Sequence, residues 1–221
     1  MYPERSAVRK CIDFITFPLR APLAILFGDN DRFGISSLQT ERFDYVAKQV
    51  RGYCSDIGRG PDNRFVTRYL KGNGIGIDVT RHHGLSDENV VHAMTHLPFS
   101  DSVFDSVTFI ANFNHIPRPI RVAELAEARR CLKRGGNVIV TAATPLAGIV
   151  VHKVGFLFEG VLGRSRSSEQ DDELFCTDQD VIGILEQVGF CHVSKKIFCH
   201  IIVAQSYVRR LGHKKIASRS P

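Results

Sequence analysis

Two glycine-containing segments hold the residues with the clearest chemical potential. Asp56 is followed by Gly58 and Gly60, and Asp78 follows a short apolar run that begins at Gly74. Glycines let the backbone approach a ligand closely and adopt dihedral angles that other residues disfavour. A helix that begins after such a loop presents free N–H groups to a polar or anionic ligand group. A carboxylate at the end of the next strand is placed to accept hydrogen bonds from ribose hydroxyls, so the pattern predicts a site for a nucleoside-bearing cofactor.

A second group of candidate residues follows a later apolar run. The segment Phe104–Asn112 is almost entirely apolar or β-branched, which predicts a strand covered on both faces. Asn112, Asn114 and His115 lie at its C-terminal end, which in an open α/β sheet faces the ligand crevice. His115 is the candidate general base because an imidazole titrates near neutral pH, and Asn114 is the candidate beside it. The alternative is that His115 caps the turn at Pro117.

Strands and helices alternate from Gly52 onward and must position these residues. This alternation predicts an α/β domain with a parallel sheet and right-handed crossovers. The predicted strands are Tyr53–Ile57, Gly74–Val79, Asn89–Met94, Phe104–Asn112, Asn137–Ala142, Cys191–Phe198 and His200–Ser206, and the predicted helices are Asn63–Lys71, Pro119–Lys133 and Thr177–Val188.

The chain is expected to divide into one main domain with additions. Residues 1–45 are predicted to form an N-terminal helical extension or lid, 46–206 the main domain, and 207–221 a basic tail. Within the main domain, residues 143–176 interrupt the alternation and are predicted to be an insertion that covers the substrate. The five basic residues between Ser206 and Pro221 account for most of the formal net charge of +6.

Composition points to an ordinary soluble protein of 221 residues, with 43% hydrophobic and 24% charged residues. Its six cysteines show no zinc-type spacing, so no metal site is expected and the thiols are expected to be reduced. Proline and arginine interrupt the apolar segment Phe14–Phe27, which predicts no transmembrane span and a cytoplasmic location. Contact of that segment with a membrane surface stays open, as does the oligomeric state.

Four motifs in a fixed order carry a family resemblance. Asp56–Pro61 is similar to a DxGxG loop, and Gly76-Ile77-Asp78 to the acidic motif that follows it. The segment His96–Asp105 is similar to an LPF-x-D-x-x-FD motif, and Leu132–Gly136 to an LKPGG turn. From about Gly52 to Ser206 the chain therefore resembles class I S-adenosylmethionine-dependent methyltransferases of the methyltransferase domain 11 kind.

The resemblance implies a Rossmann-like sheet of seven mostly parallel strands in the order 3-2-1-4-5-7-6, with strand 7 antiparallel and helices on both faces. It implies S-adenosyl-L-methionine as the cofactor and places Asn114 and His115 near the transferred methyl group. The implied cofactor-binding residues are Asp56, Gly58 and Gly60 at the methionine end, Asp78 at the ribose, Ala93 and Met94 beside the adenine, and Asn112.

Three departures from the family pattern keep alternatives open. Asp62 occupies the third glycine position of the loop, Arg59 replaces a small residue, and Ala93 replaces an acid that commonly faces the adenine. The favoured hypothesis is methyl transfer by in-line displacement to a small-molecule acceptor, namely a metabolite, a sugar or a lipid-linked intermediate. The alternatives are a cofactor-binding protein without activity, an NAD(P)-dependent oxidoreductase, and a nucleic-acid methyltransferase suggested only by the basic tail. No specific nucleic-acid partner is expected, because the chain has no motif for one.

Overall fold

The computed structural model describes residues 6–16, 36–58, 61–80, 89–142, 177–198 and 204–210. Arg59 and Gly60, the predicted insertion at 143–176 and the tail beyond Arg210 lie outside the described residues, and so do residues 17–35.

A six-stranded sheet occupies the centre of the described chain. Its strands follow the order β2-β1-β3-β4-β6-β5. The neighbours β2, β1, β3 and β4 are parallel, whereas β6 runs antiparallel to both β4 and β5. The strands are β1 (Cys54–Ile57), β2 (Gly74–Ile77), β3 (Phe104–Ile110), β4 (Leu132–Ala142), β5 (Cys191–Phe198) and β6 (Ala204–Arg210).

The order of these strands is the one that the family resemblance implies, with its third strand left out. The prediction of a strand over Asn89–Met94 is wrong in its extent, since a single parallel bridge between Asp78 and Val90 is all that forms there. The chain turns immediately afterwards, where the His96 N–H donates to the Ala93 carbonyl at 3.1 Å. The segment therefore lies beside the end of β2 without extending the sheet.

Four α-helices accompany the sheet in the described ranges: α1 (Ala7–Ile15), α2 (Leu38–Ala47), α3 (Arg121–Cys131) and α4 (Asp178–Gln187). The sequence-based start of α4 is confirmed by its cap. The Thr177 hydroxyl accepts from the Asp180 N–H at 3.2 Å, and the Asp180 carboxylate accepts from the Thr177 N–H at 2.9 Å. This reciprocal pair satisfies two N–H groups that a helix N-terminus leaves without partners.

The predicted helix over Asn63–Lys71 is wrong in type. The chain forms a 3-10 turn over Pro61–Asn63 and a π-helical turn over Phe65–Tyr69. Asp62 and Asn63 have φ angles of +65° and +47°, which no α-helix accommodates. The left-handed residues thus separate the glycine loop from the turn that follows it.

Two further boundaries differ from the sequence prediction. The helix before Gly135 ends at Cys131, and β4 already begins at Leu132, with a register shift opposite Phe104 and Ser106. Gly135 has a φ of +80° and supplies the local turn inside this strand. The last strand covers Ala204–Arg210, so the first part of the predicted basic tail belongs to the sheet, whereas the predicted start at His200 lies outside the described residues.

Two apolar clusters hold these elements together. The larger cluster joins β1, β2 and β3 to α3 and α4, and it includes Met94 and Leu97 from the segment after the bridge. The smaller one joins α2 to the opposite face of the sheet through Phe43, Phe65 and Ile139. Helices therefore cover both faces of the sheet, as a parallel sheet requires.

Candidate active site

The loops after β1 and β3 meet at the carboxyl edge of the parallel sheet. Gly58 has a φ of +72°, and its N–H donates to the Ile77 carbonyl at 2.9 Å. A Cβ atom at Gly58 would overlap the side-chain amide of Asn112. The Asn112 Nδ2 in turn lies 3.4 Å from the Ile57 carbonyl oxygen. Only a residue without a side chain fits beneath Asn112, so the two predicted cofactor residues form one surface of the crevice.

Asp56 lies inside the sheet just before this loop. It pairs in register with Gly76 and Thr108, and the Thr108 hydroxyl donates to its carboxylate at 2.7 Å. Burial raises the pKa of the neighbouring Cys54 thiol, and the charge of Asp56 raises it further. Asp56 therefore joins β1 to β3 beneath the loop.

The third glycine position of the loop keeps the backbone conformation that a glycine would supply. Asp62 adopts a φ of +65°, a region in which Asp and Asn are the best tolerated residues apart from glycine. The substitution seen in the sequence is therefore compatible with the loop. Asn63 follows in the same region, and its buried Oδ1 has no hydrogen-bond partner.

Asp78 follows β2 at the same edge and is 8% exposed. Its Oδ1 accepts the Thr80 N–H at 2.9 Å, which fixes the orientation of the carboxylate. The Asp78 backbone makes both hydrogen bonds of the short bridge. Its carbonyl accepts the Val91 N–H at 3.0 Å, and its N–H donates to the Asn89 carbonyl at 3.2 Å. The carboxylate is thus held rigidly at the end of the strand next to β1.

The segment after this bridge places the two predicted adenine-side residues differently. Ala93 is exposed, whereas Met94 is buried in the larger apolar cluster. Met94 therefore holds the segment against the sheet, and Ala93 is the residue that faces outward. His96 is exposed at the end of the same turn.

Two side chains of α3 form hydrogen bonds with the segment that follows Met94, and sequence analysis missed both. The Glu127 carboxylate accepts the Leu97 N–H at 2.9 Å. Arg130 donates to the carbonyls of Leu97 and Phe99 at 3.3 and 2.8 Å, and to the Asp101 carboxylate at 2.6 Å. Arg130 also forms two hydrogen bonds with Glu127, at 3.0 and 2.6 Å.

This pair replaces the hydrogen bonds that a strand ladder would provide for the segment. The hydrogen bond from Arg130 holds the pKa of Glu127 below its usual range, and the carboxylates of Glu127 and Asp101 raise the pKa of Arg130. Both groups are therefore charged at neutral pH. Their spacing of three residues on a helix was the one signal in the sequence.

The loop after β3 forms the other side of the crevice. Ala111 has a φ of +53°, and its N–H donates to the Thr141 hydroxyl at 2.8 Å. A left-handed alanine costs on the order of 1 kcal/mol, and here it turns the chain so that Asn112 lies over the β1 loop. Backbone strain thus coincides with the candidate site.

A 3-10 turn over Phe113–His115 follows and carries the two candidate catalytic residues. The His115 side chain is exposed, and its N–H donates to the Asn112 carbonyl at 2.8 Å. The Asn114 Oδ1 is buried without a hydrogen-bond partner. The turn over Arg118–Ile120 begins after Pro117, which provides no side-chain cap.

Side chains at the start of α3 contact this turn and the residues that follow it. Arg121 is buried, donates from Nε to the Ile116 carbonyl at 2.8 Å, and lies over the Phe113 ring with its Cζ 5.7 Å from the ring centroid. Glu124, one turn further, is 5% exposed, and burial raises its pKa to about 7. Its Oε2 has no hydrogen-bond partner.

Neither a metal centre nor a membrane-spanning helix occurs in the part of the chain that the structure describes. His, Cys, Asp and Glu side chains nowhere form a group of three suited to a metal ion. None of the described helices combines the length and the apolar character that crossing a bilayer requires.

The strand order and the crevice between Gly58, Asp78 and Asn112 define a Rossmann-like fold of the class I methyltransferase type. Residues 56–140 match the family described as "Methyltransferase domain". The described sheet thus has the fold of class I S-adenosylmethionine-dependent methyltransferases, and residues 56–140 resemble a methyltransferase domain. A comparison of the sequence with curated proteins finds no match.

Solved structures with the same fold include enzymes from archaea and bacteria. A methyltransferase of this type from Archaeoglobus fulgidus is 13% identical, with a TM-score of 0.56 over 78% of this chain and 92% of that one. One from Methanosarcina mazei is 17% identical, with a TM-score of 0.52 over 75% and 96%. The 1,6-didemethyltoxoflavin-N1-methyltransferase of Burkholderia thailandensis, solved with 1,6-didemethyltoxoflavin and S-adenosylhomocysteine, is 11% identical, with a TM-score of 0.55 over 96% and 92%.

The residues at the crevice fit S-adenosylmethionine in two respects. Gly58 has no Cβ, so its backbone meets the Asn112 side-chain amide at a distance that any other residue would forbid. Asn63 and Asn114, on the loops that follow β1 and β3, each have a buried acceptor oxygen without a hydrogen-bond partner. Acceptors of this kind are stabilised when a bound molecule donates a hydrogen bond to them.

Proposed function

We propose that this protein transfers a methyl group from S-adenosylmethionine to a small-molecule acceptor by in-line displacement. The observation that carries the proposal is the unpaired Oδ1 of Asn114, because it lies on the turn that also exposes His115. A buried acceptor atom without a partner costs about 1–3 kcal/mol, which a donor group of a bound molecule would offset. This oxygen is therefore the proposed position for a polar group of the ligand.

Some residues of the site would bind the cofactor, and others would orient the acceptor and accept its proton. S-adenosylmethionine supplies, when bound, a methyl group already activated by the positive sulfonium. Gly58 and Asn112 would hold the amino-acid end, and Asp78 would accept hydrogen bonds from the ribose. Alignment of two reactants in this way can lower a barrier by several kcal/mol.

His115 would accept a proton from an acceptor that is protonated before transfer. Its exposed side chain is accessible to an acceptor that enters the crevice, and the Asn112 carbonyl fixes its backbone at 2.8 Å. Asn114 would orient the acceptor through its free oxygen. General-base assistance of this kind typically contributes about a hundredfold or more to the rate.

A small acceptor is favoured over a polymer by the compact placement of the candidate residues and by one structural neighbour. The candidate residues lie on two short loops and one turn at a single edge of the sheet. The Burkholderia enzyme with this fold was solved with 1,6-didemethyltoxoflavin bound. We infer that the acceptor here is of comparable size, as a metabolite, a sugar or the head group of a lipid-linked intermediate.

The proposal is tested with methyl-labelled S-adenosylmethionine and a fractionated cell extract. Transfer of label to a small compound, identified by mass, supports it, and label found only in protein or nucleic acid contradicts the choice of acceptor. The His115→Gln variant is expected to slow transfer about a hundredfold while its affinity for the cofactor stays unchanged. Loss of cofactor affinity in this variant would instead give His115 a binding role.

A further inference from the structure

Helix α1 is packed with its polar side toward the protein and its apolar side toward solvent. Val8, Ile12 and Ile15 are spaced by four and three residues, so they form one stripe along the helix. These side chains are 69%, 43% and 75% exposed. A helix of a soluble protein normally buries such a stripe in the core.

Polar contacts on the other side of α1 explain how this orientation is maintained. Arg9 donates from Nε to the Ser36 hydroxyl at 2.9 Å, and the buried Asp13 carboxylate accepts the Ser36 N–H at 2.9 Å. Ser36 directly precedes Ser37, whose hydroxyl caps α2. Arg9 and Asp13 are four residues apart and share a face, so the contacts that hold the helix leave the apolar stripe outside.

We propose that the apolar stripe of α1, formed by Val8, Ile12 and Ile15, lies in the surface of an anionic membrane. The charge of the helix favours this partner, because Lys10 is exposed and the only acid of α1, Asp13, is buried. The sequence continues directly into the apolar segment Phe14–Phe27, which also contains Arg20. Amphipathic helices with basic residues and an apolar face bind at such interfaces.

The size of the stripe argues against a second copy of the chain as the partner. Nine helical residues extend about 13 Å at 1.5 Å per residue. One side of such a helix offers a few hundred Å² at most, whereas a stable interface buries about 800 Å² per partner. A bilayer imposes no such minimum, since each apolar side chain inserts separately.

The test is sedimentation of the full-length protein with lipid vesicles. Vesicles of equal parts phosphatidylcholine and phosphatidylglycerol are expected to bind the protein, and pure phosphatidylcholine vesicles more weakly. Ile12→Asp is expected to lower the partition coefficient about tenfold or more, because a charge replaces four buried carbons. Lys10→Gln is expected to lower it about fivefold on the anionic vesicles only.

Ile120→Asp is the matched control, since Ile120 is 38% exposed outside α1 and should leave vesicle binding unchanged. Thermal unfolding of each variant reports whether it is folded, and Ile15→Asp provides an independent change on the same stripe. Equal binding by wild type and both stripe variants would overturn the proposal. So would a dimer in ultracentrifugation that Ile12→Asp converts to a monomer. The vesicle assay requires no cofactor or acceptor, so its outcome is independent of the proposed reaction.

Discussion

Replacing Gly58 with alanine tests how closely the loops after β1 and β3 approach each other. The φ of +72° at Gly58 makes any side chain there costly, by about 1–2 kcal/mol. The new methyl group would also overlap the Asn112 amide. Displacing Asn112 removes its contact with the Ile57 carbonyl and adds roughly another 1–2 kcal/mol. We therefore expect Gly58→Ala to lower the free energy of unfolding by about 2–4 kcal/mol.

Two other glycines provide controls for the strain alone. Gly72 and Gly135 have φ angles of +79° and +80°, and a Cβ at either position would have no atom within 4 Å. Alanine at these sites should cost only the conformational part, about 1–2 kcal/mol. Neither change should alter the affinity for S-adenosylmethionine, because both sites lie away from the crevice.

Denaturant unfolding and calorimetric titration together read out this set of variants. Gly58→Ala is expected to bind S-adenosylmethionine at least about tenfold more weakly, since both the methyl group and the displaced Asn112 obstruct the cradle. Adding Asn112→Ala should restore about 1–2 kcal/mol of stability, because the overlap disappears. If Gly58→Ala costs no more stability than Gly135→Ala and binds cofactor normally, the crevice has been assigned to the wrong loops.

Three further changes examine other parts of the account. Asp78→Asn is expected to weaken cofactor binding about tenfold or more in calorimetry, because a charged acceptor for the ribose is lost, and unchanged affinity would contradict that role. Arg130→Met should raise the Kd for S-adenosylmethionine and for 5′-methylthioadenosine alike, because the segment that carries Ala93 loses its hydrogen bonds to α3. Unchanged Kd values for both compounds would refute a role of this segment in cofactor binding. Glu124→Gln concerns stability: a folded pKa near 7 means that the wild type loses stability as pH rises from about 4.5 through 7, by about 1–3 kcal/mol. The amide variant should therefore be the more stable protein at pH 8 in thermal unfolding, and a less stable one would show that the ionised carboxylate has a partner.

The sheet was predictable from sequence where apolar runs are bounded by glycine or by charged residues. The strands at Cys54–Ile57 and Phe104–Ile110 and the capped helix after Thr177 are examples, because each carries its own local signal. The segment Asn89–Met94 shows the opposite case. Its composition suits a strand, but the hydrogen bonds of the following residues go to Glu127 and Arg130, which are some thirty residues distant in sequence. Long-range pairing of this kind leaves no trace in local periodicity.

Some residues of the candidate site could likewise be predicted from sequence, and others could not. Gly58 and Asp78 could be found because glycine and carboxylate have few substitutes in such loops. Asn63 and Ala111 could not be found in this way. Both have a left-handed backbone, and Asn63 also has an unpaired side-chain oxygen, and only the folded chain reveals these features. The burial of Met94 in the core could not be predicted either, since sequence position alone does not fix the direction of a side chain in an irregular segment.

Calorimetric titration of the wild-type protein with S-adenosylmethionine tests the central claim most directly. We expect one binding site per chain with a dissociation constant in the micromolar range, and competition by S-adenosylhomocysteine at the same site. Absence of binding at millimolar cofactor, in protein shown to be folded, would contradict it.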